Sequence, residues 1–280
     1  MALFAARSDK GPVRSTNQDA CCVEVAQTRF GDAVMAVVCD GVGGLEHGEV
    51  ASTHVARAFD QWFAREFPSL LSSMDVRFAG QVVEDSWHEL LCRLNQELRN
   101  LGARDGAMLG TTFTGVLACS GCYVVGHVGD CRLYCLNGQD LTQITEDQTL
   151  VAREVARGHM SEEEARTDAR RNVILQAVGV TPGLRPSFYR GPWRMRDLFV
   201  LCSDGAYRMA GDEGIRAAFS HTGHAEVGLN MACHALIERA LTQGETDNLT
   251  VACFLAGEGS SQSSKSPVLL ASGAVCVGGE

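Results

Sequence analysis

The chain has 280 residues, of which 45% are hydrophobic, enough to build one large domain or two small ones around a packed core. Its formal net charge is -10, with no local basic patch, which argues against a phosphate-backbone partner such as nucleic acid. No run approaches the ~18 apolar residues of a membrane span, and the opening MALFAARSDKGPVRS lacks the apolar stretch of a signal peptide, so a cytoplasmic protein is expected.

The first strong signal is VVCDGVGG at residues 37–44, an apolar, strand-like run that stops at Asp40 and turns through glycines. Residues 45–67 then carry Val50, Val55, Phe59, Trp62 and Phe63 near helical spacing. Residues 75–101 place Val83, Trp87, Leu90, Leu94, Leu98 and Leu101 at steps of three and four. An antiparallel helix pair is expected.

From residue 111 to 141 the period changes to that of strands: TTFTGVLAC, a Ser-Gly turn, CYVVGHVGD, and CRLYCL ending at Asn137-Gly138. Cys119 and Cys122 have metal-ligand spacing, but Ser120-Gly121 between two strands explains that spacing as a hairpin. Most of the 12 cysteines lie in apolar segments, where a reduced thiol behaves as a small hydrophobe. Zinc is not expected.

Residues 147–178 read as helical and charged, with Ser161 and Glu164 spaced as a capping box. A strand at 197–203, helices at 212–219 and 225–242, and a strand at 249–255 follow. Strands and helices are segregated rather than strictly alternating, which predicts an α+β fold of mainly antiparallel sheets covered by helices. Residues 257–280 have linker composition followed by a short apolar stretch and are expected to form a flexible tail.

Asp19, Asp40, Asp204 and Asp247 each sit beside turn residues at the end of an apolar run, and Asp130 in HVGDCR makes a fifth. Any one of them is explained as a turn or cap residue. Together they describe carboxylates gathered at one rim, which repel one another unless cations neutralise them. Hard oxygen ligands without a His or Cys set suit magnesium or manganese, and the Gly41 carbonyl is a further ligand of that kind.

RSTNQDA, DGVGGLEHGEVAS, GTT, VGDCRLY, RNVILQAVG, LCSDG and TDNLTV occur in the order and spacing of the metal-dependent type 2C serine/threonine protein phosphatases. Over roughly residues 3–256 the chain resembles the compact bacterial branch of that family. The resemblance implies a four-layer α-β-β-α sandwich, with residues 1–256 as the catalytic domain. It also implies two manganese or magnesium ions and a possible third. Asp40 then bridges the two ions, Gly41 binds one through its carbonyl, and Asp204 and Asp247 bind the other. Asp19 holds a water of the metal shell, Asp130 with Asp204 matches the third site, and Arg14 matches the phosphate-binding arginine.

The implied reaction is hydrolysis of phosphoserine or phosphothreonine by a bridging water that the two metals activate, opposing a bacterial Ser/Thr protein kinase. The expected partners are phosphorylated proteins, the expected state is a monomer, and residues 147–178 correspond to the flap beside the cleft. Alternatives are a catalytically weak phosphopeptide-binding relative and a general phosphomonoesterase. The chain departs from the family pattern in having Gln18 for Glu, Cys131 for Ser and Gln148 in the usual DHS position. Val42 replaces the His of eukaryotic members, leaving the general acid unassigned.

Overall fold

The computed structural model describes residues 2–42, 47–74, 79–194, 196–220, 222, 225–255 and 275–278. In chain order its elements are β1 (Leu3–Asp9), β2 (Asp19–Thr28), β3 (Gly31–Asp40), α1 (Gly48–Arg65), α2 (Phe67–Ser73) and α3 (Gly80–Asp105). Next come β4 (Phe113–Cys119), β5 (Cys122–Val128), β6 (Arg132–Asn137), β7 (Asp140–Gln143), α4 (Leu150–Ala156) and α5 (Glu162–Thr167). The chain continues with β8 (Ser187–Pro192), β9 (Leu198–Cys202), α6 (Asp204–Arg208), α7 (Gly211–Phe219), α8 (Glu226–Thr242), β10 (Leu249–Leu255) and β11 (Val275–Gly278).

The strands form two sheets, ordered β1-β10-β9-β6-β7 and β11-β2-β3-β4-β5-β8. Every pairing is antiparallel. Residue parity along the strands shows how the sheets stack. Ala20, Cys22 and Ala26 of β2 join Phe59, Trp62 and Trp87 of α1 and α3 in one apolar cluster. Their neighbours Cys21, Val23 and Val25 join Phe199, Leu201 and Phe254 of the other sheet in a second. On the far side, Val200 and Cys202 of β9 pack with Cys233, Leu236 and Ile237 of α8. Successive side chains point to opposite faces, so the layers run helix, sheet, sheet, helix. Strands apolar on both faces explain why VVCD lacks an alternating pattern.

The helix pair is present. His54 of α1 meets Glu97 of α3, while Trp62 donates from Nε1 to Ser86 Oγ at 2.8 Å, so the two helices run in opposite directions. Val50 and Leu101, at the helix ends, are exposed and stay outside the core. The start of the expected second helix, residues 75–78, lies outside the described residues. Cys119 and Cys122 pair in register around Ser120 and Gly121, whose φ values of 54° and 76° are those of a tight hairpin turn.

The charged segment 147–178 is less helical than its composition predicts. It forms two short helices, α4 and α5, joined by turns, with the Ser161–Glu164 capping box in place. No residue of α5 is buried, so the element lacks the packed face that extends most helices. Residues 275–278, in the stretch expected to be a tail, run antiparallel to β2, which otherwise offers an open row of backbone groups at the sheet edge.

Candidate active site

β2 begins where β3 ends, so Asp19 and Asp40 stand opposite each other in register at one rim of the six-stranded sheet. Asp40 is fixed through its backbone: its amide donates to Thr112 Oγ1 at 2.9 Å, and its carbonyl accepts from Thr111 Oγ1 at 2.9 Å and Thr112 N at 2.8 Å. The carboxyl, spared those duties, meets the side chain of Asp19. The Gly41 amide donates to the Gln18 carbonyl at 3.0 Å. A Cβ at Gly41 would lie 2.6 Å from the Gly48 carbonyl, so glycine is required for this close approach.

Asp19 is buried, with Oδ2 accepting from Ser203 Oγ at 2.8 Å. Its other oxygen, Oδ1, is buried with no hydrogen-bond partner, an expensive arrangement unless another group completes it. Ser203 sits just before α6, and its Oγ also accepts from Thr250 N at 2.9 Å, which links Asp19 to β9 and β10 of the other sheet. The rim is therefore assembled from both sheets.

Asp247, in the loop entering β10, receives a two-pronged hydrogen bond from Arg14: Nε to Oδ1 and Nη2 to Oδ2, both 2.8 Å. Asn248 holds the loop that carries Arg14. Its Oδ1 accepts from Gln18 N at 2.9 Å, and its Nδ2 donates to the carbonyls of Lys10 and Thr16 at 2.8 and 3.1 Å. Asp204, the first residue of α6, is ion-paired with Arg208 one turn later. Gly205 lets α6 approach the Asp247 loop, since a Cβ there would fall 2.2 Å from the Asn248 carbonyl oxygen.

Asp130 is buried beside Gly129 at the end of β5, where its carbonyl accepts from Tyr207 Oη at 3.0 Å. The flap is anchored to the same loop. Gln148 N donates to the Gly129 carbonyl at 2.7 Å, and Gly129 N donates to Gln148 Oε1 at 3.0 Å. Arg132 clasps Asp147 through two bonds of 2.9 and 2.8 Å.

The electrostatics report the proximity of these acids. Burial, then repulsion from Asp19, Asp130 and Asp247, holds the Asp40 carboxyl far above the ordinary range, with Arg208 opposing the rise. Burial lifts Asp19 to about 6 despite hydrogen bonds from Thr250 and Ser203, and Asp247 adds repulsion. Asp130 also rises to about 6 through burial and Asp147, against the pull of Arg208 and Arg132. Such a set of hard oxygens, with an orphaned Asp19 Oδ1 among them, fits divalent cations. Among the described residues, no three His, Cys, Asp or Glu side chains are already drawn into a cage. Asp247 and Asp204 are instead engaged by Arg14 and Arg208.

The structure thus brings Arg14, Asp19, Asp40, Gly41, Asp130, Asp204 and Asp247 to one rim. Sequence reasoning missed Ser203, Asn248, Thr112 and Arg208. The first three lie within or beside the quoted motifs, and only their tertiary partners assign them. Arg208 carries a helical i,i+4 relation to Asp204, a legible signal. Cys131 takes a core role, with its Sγ 3.2 Å from Thr112 Oγ1.

A family model described as Protein phosphatase 2C matches residues 13–232. The chain is 32% identical over 257 residues to the serine/threonine protein phosphatase PstP of Mycobacterium tuberculosis, covering 89% of this chain and 44% of that protein. It is 28% identical over 247 residues to the serine/threonine phosphatase stp of Listeria monocytogenes, covering 88% and 92% of the two chains. Among solved structures, the PstP catalytic domain in complex with two manganese ions superposes with a TM-score of 0.69 at 29% identity, over 92% of this chain and 99% of that one. The chain spans less than half of the mycobacterial relative and nearly all of the listerial one. Its match to the family model covers most of its length, and the chain belongs to the protein phosphatase 2C family.

Proposed function

We propose that the chain is a metal-dependent serine/threonine protein phosphatase that removes phosphate from targets of a Ser/Thr protein kinase. The observation that carries this reading is the meeting of Asp40 with Asp19, Asp130 and Asp247 at one rim, beside an arginine already shaped around a carboxylate. Residues 1–256 form the catalytic domain, acting as a monomer in the cytoplasm.

Asp40, the Gly41 carbonyl, Asp204 and Asp247 are the residues that would hold two manganese or magnesium ions, with Asp19 supporting the shell through its unpartnered Oδ1. Such ions, when bound, supply Lewis-acid activation of water and of the phosphoryl oxygens. The chain's own contribution is positional. Arg14 presents a planar fork that matches a phosphate dianion as well as it matches Asp247. Thr111 and Thr112 hold the Asp40 backbone, and Ser203 orients Asp19.

The test is a panel of phosphoserine and phosphothreonine peptides assayed with EDTA, manganese or magnesium, on wild type and Asp40→Asn. Turnover is expected only with added metal, and Asp40→Asn falls by at least about 10²-fold. Metal-independent turnover sinks the reading. Tight peptide binding without turnover under either metal would instead identify a sequestering module.

A further inference from the structure

Arg208 plays no part in the proposed phosphate chemistry, yet it is tied into the acid rim through two carboxylates. It lies on α6 one turn after Asp204 and forms an ion pair with that carboxylate. Its Nη1 also lies 3.6 Å from Oε1 of Glu245, whose side chain is only 4% exposed. Glu245 is itself fixed, because Oε1 accepts from the amides of Thr246 and Asp247 at 2.8 and 3.1 Å. The guanidinium is thus held between carboxylates of two elements, α6 and the loop entering β10.

The preceding residue, Tyr207, donates to the Asp130 carbonyl at 3.0 Å, so α6 as a unit packs on the Asp130 loop. A guanidinium stays charged at every working pH and cannot leave with a chelator. It neutralises about one unit of the local acid excess permanently, where a divalent ion does so only when bound.

We propose that Arg208 is the resident cation of the Asp204–Asp130 side of the rim, standing where a third divalent ion would otherwise be required. The inference rests on the metal-dependent reading above and concerns how many ions the chain takes. With Arg208 in place, two ions satisfy the rim. Without it, the Asp204–Asp130 side lacks a resident cation and a third can bind.

The experiment is equilibrium dialysis of the full chain against manganese, with bound metal counted by mass spectrometry, beside calorimetric titration of the same samples. Wild type is expected to bind two ions, Arg208→Gln three, and Arg208→Lys two because the charge is kept. Asp130→Asn in the Arg208→Gln background should return the count to two. In the wild-type background Asp130→Asn should leave two ions bound, an independent check if Arg208→Gln fails to fold. Three ions on wild type, two on folded Arg208→Gln, or loss of an ion from Asp130→Asn alone would each overturn the proposal while leaving the metal-dependent reading intact. Wild type that binds no manganese would overturn both.

Discussion

Arg14 grips Asp247 through both oxygens, at 2.8 Å for each of two parallel hydrogen bonds. In the proposed function one of these residues binds phosphate and the other binds metal, so the two tasks are coupled. An Asp247 turned to hold a metal would leave the Arg14 fork open for the substrate dianion. Arg14→Ala is expected to lower kcat/KM for phosphopeptides by about 10- to 100-fold, from the ~1.5–3 kcal/mol of a hydrogen bond to a charged group. Phosphate, as a product inhibitor, should lose potency in parallel. Steady-state kinetics with and without added phosphate checks both, and an unchanged inhibition constant would remove Arg14 from the phosphate site.

The Asp40 carboxylate is held in a place that favours its neutral form, through burial and three neighbouring acids. Removing its charge should therefore have opposite effects on function and on the metal-free fold. Asp40→Asn loses metal-dependent turnover, yet in EDTA it should unfold at a higher temperature than wild type. Each kcal/mol of relieved repulsion corresponds to roughly 2–4 °C for a chain of this size. Calorimetry in EDTA reads the effect, and a lower Tm for the variant would count against the crowding of charge.

A second buried acid lies away from this rim. Glu24 of β2 is 5% exposed, and burial plus interaction with Asp60 of α1 lifts it to about 7 from an ordinary 4.5. The native state retains this proton while the unfolded chain releases it. Stability is thus lost as pH rises from about 4.5 to about 7, and the loss is complete above that. Glu24→Gln, which keeps shape without charge, should be more stable than wild type at pH 8 and close to it at pH 4.5. Urea unfolding at both values tests the sign.

Gln148 ties the base of the flap to the Asp130 loop, with its backbone and side chain both bonded to Gly129. It reaches Ser187 Oγ at 3.0 Å as well. Gln148→Ala should free the Gly129 amide to exchange and loosen the flap base without disturbing Asp40. Hydrogen exchange is expected to rise at residues 129 and 144–150, with turnover of small phosphomonoesters nearly unchanged and turnover of phosphopeptides reduced. Equal losses on both substrates would place Gln148 in the chemistry instead.

Much of the architecture was legible because its elements are periodic. α3 and the hairpin at Ser120-Gly121 repeat their apolar residues at the expected spacing, and both form close to where the sequence puts them. The charged segment 147–178 was less legible, because charge spacing alone cannot distinguish a continuous helix from two short ones with no packed face. Strand β8 and the pairing of β11 with β2 were not anticipated, since an edge strand takes its stability from a neighbour remote in sequence.

Spacing along the chain marks which residues can bear chemistry: acids placed at the ends of apolar runs, Gly41 after Asp40, and Arg14 shortly before Asp19. How they are used depends on contacts between distant segments. Antiparallel register sets Asp19 against Asp40, the stacking of two sheets brings Ser203 to Asp19, and the loop before β10 offers Asp247 to Arg14. Arg208 shows the difference most plainly. One turn of helix predicts its contact with Asp204, but its hold on Glu245 and its field at Asp40 and Asp130 arise because the fold converges on that rim. Short-range spacing is written in the chain, while the balance of charge at a site is a sum over segments that only folding brings within reach.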